Sequence, residues 1–324
     1  MSVSQLVTEA RVKEILETVD YFLFDCDGVL WDGNGVIEGS VETIKKLKSL
    51  GKKVYYVTNN SSKSRQDYLE KCKECGFPAE LDDIVCTAYA AAQYLKNIGF
   101  KNKVYLVGKD ESMGTELKDA GIQYFGPGPD PLEGNLKEWF AMRLDPEPDL
   151  LNGASYEEWF KNTVLDSEVK CVVVGFDPHI SYMKIMKAAS YLRNPDCIFI
   201  GTNEDRSLPA KDKDIVIPGT GCMVLPVALA ANRRPILMGK PETNMFDLLK
   251  KVRNIDPSRC LMTGDSISTD IVFAKNCGVR SMLVLSGMST EDDLITANGK
   301  GSNADPKKQP DVYAQKLSEF GKFI

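Results

Sequence analysis

The stretch Tyr21–Val29, YFLFDCDGV, joins a short apolar run to a pair of carboxylates. Its four apolar and aromatic residues predict a buried β-strand that ends at Phe24. Asp25 and Asp27 follow at once, where α/β sheets bind ligands, outside the carboxyl ends of the strands. Gly28 lets the backbone bend, so that both carboxylates can face one pocket. By itself the motif fits a solvated turn or a helix N-cap equally well.

Strand and helix patterns alternate downstream of this stretch. Val41–Leu50 predicts a helix ended by Gly51, Lys53–Val57 a second strand, and Ser64–Cys75 a second helix. Such alternation is typical of a parallel sheet covered by helices. We therefore expect an α/β protein whose core is a doubly wound, Rossmann-like parallel sheet.

The length of the chain predicts two domains, because 324 residues exceed the roughly 250–300 that one hydrophobic core usually serves. A second α/β series has strands predicted at Lys103–Val107, Val169–Gly175 and Cys197–Gly201. The first series then resumes with Pro235–Met238, Arg259–Thr263 and Ser281–Leu285. We expect a core of residues 1–102 and 235–324 and an inserted α/β cap domain of residues 103–234.

Composition excludes several classes of function. The formal charge is −6 and no basic stripe alternates with aromatics, so nucleic acid is not an expected partner. No apolar run approaches the ~20 residues that cross a bilayer, and the first residues lack the pattern of a secretory or mitochondrial signal. The nine scattered cysteines suit reduced thiols. We expect a cytoplasmic protein with no membrane partner. Its single histidine, His179, excludes zinc sites built on several imidazoles.

A second polar cluster, Thr58-Asn59-Asn60, also follows a predicted strand. Hydroxyl and amide groups beside free backbone N–H groups can receive phosphate oxygens, although the same residues favour capped turns. Lys240, after the apolar Leu237–Met238, can neutralise a phosphoryl group, although a lysine there is more often a solvated charge.

The fourth cluster is an acid pair, Asp265 and Asp270, after the apolar run that begins at Leu261. An aspartate here that converged on Asp25 and Asp27 would complete an oxygen-rich site for a hard cation, and Mg²⁺ is the natural candidate. Independent turns would seldom produce this order of acid pair, hydroxyl and amide, lysine, and acid pair at four strand ends.

The order and identity of these residues resemble the haloacid dehalogenase superfamily of phosphotransferases, and the motifs span about three quarters of the chain. The resemblance implies a phosphatase that forms an aspartyl-phosphate on Asp25, with Asp27 as acid and base. It implies Mg²⁺ held by Asp25, the Asp27 backbone carbonyl and Asp265, with Asp270 holding that coordination shell in place. Thr58, Asn59 and Asn60 would bind the substrate phosphoryl group, and Lys240 would offset charge on nucleophile and substrate.

The subgroup of phosphoglycolate and pyridoxal phosphatases is the most similar part of that superfamily. Residues Val174–Tyr182 resemble the phosphoglycolate phosphatases more, so the resemblance implies phosphoglycolate as the small phosphorylated substrate and His179 as a substrate-facing residue. The large cap of this subgroup implies a homodimer through that domain. This chain departs from the subgroup in having Ser266 and Ser268 where an arginine and an acid are common, which leaves local charge and rate in doubt.

Alternatives remain open from the sequence. The substrate can be pyridoxal phosphate, another small metabolite or a phosphoprotein, with 4-nitrophenyl phosphate as a generic substrate. A non-catalytic binding protein on the same fold is the rival from another class. Cys26 lies between two carboxylates that should raise its thiol pKa, so a packing role is favoured over a redox role.

Overall fold

Two parallel β-sheets organise this computed structural model, which describes residues 4–33, 35–131, 165–208, 214–299 and 305–324. The strands are Gln5–Leu6 (β1), Tyr21–Phe24 (β2), Trp31–Asp32 (β3), Gly35–Val36 (β4), Lys53–Thr58 (β5), Ile84–Cys86 (β6), Lys103–Val107 (β7), Tyr124–Phe125 (β8), Val169–Val174 (β9), Ile198–Gly201 (β10), Ser207–Leu208 (β11), Ile217–Pro218 (β12), Ile236–Leu237 (β13), Cys260–Gly264 (β14), Arg280–Val284 (β15) and Val312–Ala314 (β16).

The α-helices in the described ranges lie between these strands, as an α/β fold requires. They are Glu9–Thr18 (α1), Ser40–Ser49 (α2), Arg65–Glu74 (α3), Thr87–Asn97 (α4), Thr115–Asp119 (α5), Tyr182–Tyr191 (α6), Gly221–Ala231 (α7), Asn244–Arg253 (α8), Val272–Cys277 (α9), Glu291–Ala297 (α10) and Leu317–Gly321 (α11). Within these ranges no helix combines the length and the apolar character needed to cross a membrane.

The first sheet has seven strands in the order β1-β16-β15-β14-β2-β5-β6, and every neighbouring pair is parallel. From β2 the chain builds outward through β5 to β6, and later from β14 outward through β15 to β16. The strand order therefore reverses between β2 and β14. In open α/β sheets such a switch point opens a crevice at the carboxyl ends of the strands, where ligands bind. The predicted doubly wound parallel core is confirmed.

β2 is a buried interior strand of this sheet, between β14 and β5. Phe22, Leu23 and Phe24 are almost fully buried, because strands pair with β2 on both sides and side chains cover both faces. A continuous apolar run is the pattern of such a strand. The polar Asp25 comes immediately after this buried part, so it lies at the carboxyl end of the strand.

Local sequence sets the ends of the helices. Ser64 caps α3 by accepting a hydrogen bond from the Asp67 backbone N–H, and Asp67 bonds back to the Ser64 backbone, forming a capping box. Gly76 follows the helix with φ +82°, the left-handed conformation that often ends helices. The predicted helices over residues 41–50 and 64–75 are confirmed to within one residue at each end.

The second sheet has five parallel strands in the order β13-β10-β9-β7-β8. The prediction that the first series resumes at Pro235 is wrong for this strand, because Ile236 and Leu237 pair with Ile200 and Gly201 of β10. The core series resumes only with β14. The proposed domain limits at residues 102 and 235 stay a prediction, and part of the proposed cap, residues 132–164 and 209–213, lies outside the described ranges.

Candidate active site

Asp25 lies at the switch point and bonds to a buried lysine. Its backbone N–H donates to the Thr263 carbonyl of β14 (2.9 Å), which places the carboxylate between β2 and β14. The Lys240 Nζ lies 2.6 Å from Asp25 Oδ1 and also donates to the Val57 carbonyl (3.1 Å). A second carboxylate, Asp270, approaches Lys240 Nζ to 2.8 Å. The lysine is therefore a fixed, buried cation shared by two aspartates.

Asn59 aligns Lys240 from the neighbouring strand end. Its side-chain Oδ1 accepts from the Lys240 backbone N–H (2.7 Å), and its Nδ2 donates to the Lys240 carbonyl (3.0 Å). The same Nδ2 also lies 3.3 Å from Asp205 Oδ1. The side chain predicted to bind the phosphoryl group thus holds the backbone of Lys240 in place.

Asp265 and Asp270 complete an acidic cluster with Asp25. One carboxylate oxygen from each of the three lies within 4.8 Å of the others. Asp265 Oδ2 accepts from the Met288 backbone N–H (2.7 Å), and Asp270 Oδ2 accepts from the backbone N–H of Ser266 (3.0 Å). These bonds fix both carboxylates from the protein side. The set of three close oxygen donors fits a hard divalent cation such as Mg²⁺.

Electrostatics also favour a cation here. Burial raises the pKa of Asp25 well above its ordinary value, against the opposing charge of Lys240. Burial, followed by the charge of Asp270, raises the pKa of Asp265 to about 7. Burial alone would lower the pKa of Lys240, but the charges of Asp25 and Asp270 raise it above its ordinary value, so the ammonium persists. Three carboxylates against one ammonium leave negative charge that a divalent ion would offset.

Asp27 is held apart from this cluster. Its Oδ1 accepts from the Trp31 indole N–H (2.9 Å) and lies 3.8 Å from the Lys71 Nζ, which sits 4.1 Å from the centre of the Trp31 ring. The bend predicted at Gly28 is present, with φ +84°, and a Cβ there would lie 2.2 Å from Asp265 Oδ2. The turn therefore needs glycine to let the first and last motifs meet.

All but one of the residues that the sequence predicted for the site line the same pocket. Asp25, Asp27, Thr58, Asn59, Asn60, Lys240, Asp265 and Asp270 all line one cavity of about 600 Å³. Ser266 and Ser268 line it too, and neither supplies charge. His179 is exposed and absent from the described lining, and its backbone N–H donates to Asp177 Oδ1 (2.8 Å). The structure does not bring His179 to the pocket, and its substrate-facing role stays a prediction.

Cys26 is fully buried next to Asp25 in the sequence. Burial, with the charges of Asp25 and Asp27, raises the pKa of its thiol well above the ordinary value. A thiol in that state is a poor nucleophile. This agrees with the packing role expected from the sequence.

Sequence reasoning missed two groups of pocket residues. Gly287 and Met288 follow β15, and a Cβ on Gly287 would lie 1.8 Å from Asp265 Oδ2. Asp205 and Arg206 follow β10. The signal used for the other motifs, polar or glycine residues directly after a strand, was present at both places.

Comparisons with known proteins agree with this geometry. Models described as haloacid dehalogenase-like hydrolase match residues 22–123 and 117–278, and one described as HAD-hydrolase-like matches residues 237–320. The chain is 36% identical to glycerol-3-phosphate phosphatase of Rattus norvegicus over 96% of its own length and 92% of the relative's. It is 37% identical to phosphoglycolate phosphatase 2 of Arabidopsis thaliana over 99% and 98%. The solved p-nitrophenyl phosphatase from Archaeoglobus fulgidus superposes with a TM-score of 0.73 at 26% identity, covering 94% of this chain and 99% of that one.

Proposed function

The chain belongs to the haloacid dehalogenase-like hydrolases, and on that premise we propose that it is a Mg²⁺-dependent phosphatase that hydrolyses 2-phosphoglycolate through an aspartyl-phosphate on Asp25. At the coarser level it is a phosphomonoesterase for small phosphate esters. The observation that carries the proposal is the buried Asp25 carboxylate, 2.6 Å from Lys240 and within 4.8 Å of Asp265 and Asp270 oxygens. Phosphoryl transfer needs little more than an in-line nucleophile and charge neutralisation.

In the proposed reaction, Asp25 attacks phosphorus as the ester oxygen leaves from the opposite side. Asp27 gives its proton to the departing oxygen and then takes one from the water that hydrolyses the aspartyl-phosphate, releasing inorganic phosphate. Lys240 favours the ionised form of Asp25 and offsets charge on the phosphoryl oxygens. Asp25, Asp265 and the Asp27 backbone carbonyl would hold Mg²⁺, which would supply positive charge to offset the negative charge on the phosphoryl oxygens.

Replacing Asp25 by Asn tests the mechanism. Asn matches Asp in shape but cannot form an acyl phosphate, so Asp25→Asn should abolish Mg²⁺-dependent turnover of 4-nitrophenyl phosphate. Circular dichroism and thermal unfolding would confirm that the variant folds. Asp247→Asn, at an exposed acid on α8, is the matched control and should keep wild-type turnover. Turnover retained in Asp25→Asn would remove the mechanism, and a folded wild type inactive on every ester would favour the non-catalytic binding protein.

Glycerol 3-phosphate is the second candidate substrate, because a relative of nearly equal identity carries that activity in its name. Pyridoxal phosphate and broader use of small phosphate esters remain alternatives. A phosphate-release assay on phosphoglycolate, glycerol 3-phosphate, pyridoxal phosphate and a phosphopeptide ranks them. A preference above tenfold corresponds to ~1.4 kcal/mol in transition-state binding.

We also propose a homodimer through the cap. Large apolar side chains are exposed on that part of the chain, with Leu229 at 84%, Val216 at 77% and Leu225 at 53% exposure. Leu225 and Leu229 lie four residues apart on α7, so they share one helix face. Apolar residues grouped on one face are typical of interaction surfaces.

A further inference from the structure

The segment Asn203–Leu208 supplies six consecutive residues to the lining of the pocket. It follows β10 of the second sheet and ends in β11, whereas the residues of the carboxylate cluster follow strands of the first sheet. Two hydrogen bonds join it to Asn59, in the loop after β5. Asn203 Nδ2 donates to the Asn59 carbonyl (2.7 Å), and Asp205 Oδ1 lies 3.3 Å from Asn59 Nδ2. The segment therefore forms part of the wall of the pocket that holds the carboxylate cluster.

The turn Pro218–Gly221 holds the backbone of this segment through two hydrogen bonds. Gly219 N–H donates to the Arg206 carbonyl and Gly221 N–H to the Asp205 carbonyl, both at 2.9 Å. A Cβ on Gly219 would lie 2.3 Å from the Asp205 carbonyl oxygen. Only glycine allows so close an approach of two backbones. The two glycines of this turn thus fix the backbone positions of residues 205 and 206.

Charge in the pocket is strongly asymmetric. The acidic residues of its described lining are Asp25, Asp27, Asp32, Glu204, Asp205, Asp265 and Asp270, and its basic residues are Arg206 and Lys240. Lys240 is already bonded to Asp25 and Asp270. Arg206 is exposed, and nowhere in the described ranges does a carboxylate pair with its guanidinium. A second anionic group on a substrate would meet repulsion from the acids unless Arg206 received it.

We propose that Arg206 is the residue that selects substrates whose leaving group carries a carboxylate, binding the carboxylate of phosphoglycolate in preference to the neutral hydroxyls of glycerol phosphate. The inference rests on the proposed phosphatase function. A guanidinium matches a carboxylate through two parallel hydrogen bonds, which a neutral hydroxyl does not form. The Asp205 carboxylate would repel the carboxylate of the substrate. Burial raises the pKa of Asp205, which lessens this repulsion.

The test compares kcat/KM of wild type, Arg206→Gln and Arg206→Lys on phosphoglycolate, glycerol 3-phosphate and 4-nitrophenyl phosphate with Mg²⁺. Arg206→Gln should lose at least about tenfold on phosphoglycolate and less than about threefold on the other two substrates. Arg206→Lys should keep part of the phosphoglycolate rate that Arg206→Gln loses, since lysine has the positive charge but lacks the planar guanidinium. Arg193→Gln, at an exposed arginine in the turn after α6, is the control and should match wild type on all three.

Each outcome decides one claim. An equal fall on all three substrates, or none on phosphoglycolate, overturns the role of Arg206 and leaves the proposed phosphatase intact. A wild-type preference for glycerol 3-phosphate overturns both the role of Arg206 and phosphoglycolate as the substrate, but leaves the phosphatase activity itself intact. A folded wild type that releases phosphate from no ester overturns the proposed function itself. Loss confined to phosphoglycolate, with partial rescue by lysine, supports the proposal.

Discussion

At the scale of single residues, the main physical feature of the site is its buried charge. Asp25 and Asp270 share the Lys240 ammonium, while Asp265 is held by the Met288 backbone and has no lysine of its own among the described contacts. Burial raises the pKa of Asp25 well above its ordinary value and that of Asp265 to about 7. The negative charge of the cluster is therefore not fully compensated by Lys240, and a divalent cation should stabilise the folded state.

Mg²⁺ should raise the melting temperature, and Asp265→Asn should remove most of that rise. A ligand at a hundred times its Kd adds about 2.7 kcal/mol to the free energy of unfolding, which is a shift of a few degrees for a chain of this size. Differential scanning calorimetry with Mg²⁺ and with EDTA measures it. Asp247→Asn is the control. A full Mg²⁺ shift in Asp265→Asn would show that the ion binds elsewhere.

At the scale of elements, the loop after β5 joins the two sheets. Ser61 is fully buried, and its Oγ accepts from the Phe176 backbone N–H after β9 (3.0 Å) and from Thr202 Oγ1 after β10 (3.2 Å). Its carbonyl accepts from Ser112 Oγ (2.9 Å). The loop that carries Thr58 and Asn59 is thus attached to three segments of the second α/β series, and its geometry depends on them.

Ser61→Ala should destabilise the protein by about 1–2 kcal/mol, because the Phe176 N–H would lose its acceptor in a partly buried place. The KM for 4-nitrophenyl phosphate should rise as the loop loosens. Urea unfolding and steady-state kinetics measure the two effects. Ser49→Ala, on the exposed end of α2, should stay within about 0.5 kcal/mol of wild type. An unchanged stability and KM in Ser61→Ala would contradict this linking role.

At the scale of the whole molecule, the topology places the site and leaves an apolar surface open. The order of the seven-stranded sheet reverses between β2 and β14, which opens the crevice that Asp25 and Asp265 enter from its two sides. The second sheet adds the wall that carries Arg206. On the outside of that part, Leu225 and Leu229 of α7 remain exposed.

If the cap forms the dimer contact, Leu229→Lys should shift the molecule from dimer to monomer, because the charge would be buried without a partner. Sedimentation equilibrium measures the mass of each variant. Ile295→Lys, at a residue 66% exposed on α10 of the core, is the control and should leave the dimer intact. A monomeric wild type at micromolar concentration would contradict the proposed homodimer.

The sequence by itself determined the α/β class, several of the strands, and the positions after those strands where the polar site residues lie. Apolar runs and glycine ends are local signals, so β2, α2 and α3 were predicted within a residue or two. The order of polar motifs also predicted that Asp25, Lys240 and Asp265 would meet, since parallel strands end at one sheet edge.

Only the tertiary structure decided what depends on distance between remote segments. The two-residue strand β13 has the same apolar pattern in either sheet, and its pairing with β10 follows from packing alone. Met288 and Arg206 line the pocket because their backbones lie close to Asp265 and Gly219, which are remote in sequence, whereas His179 is absent from the described lining. Short-range patterns fix which residues begin and end an element, whereas close packing of the folded chain fixes which of them touch.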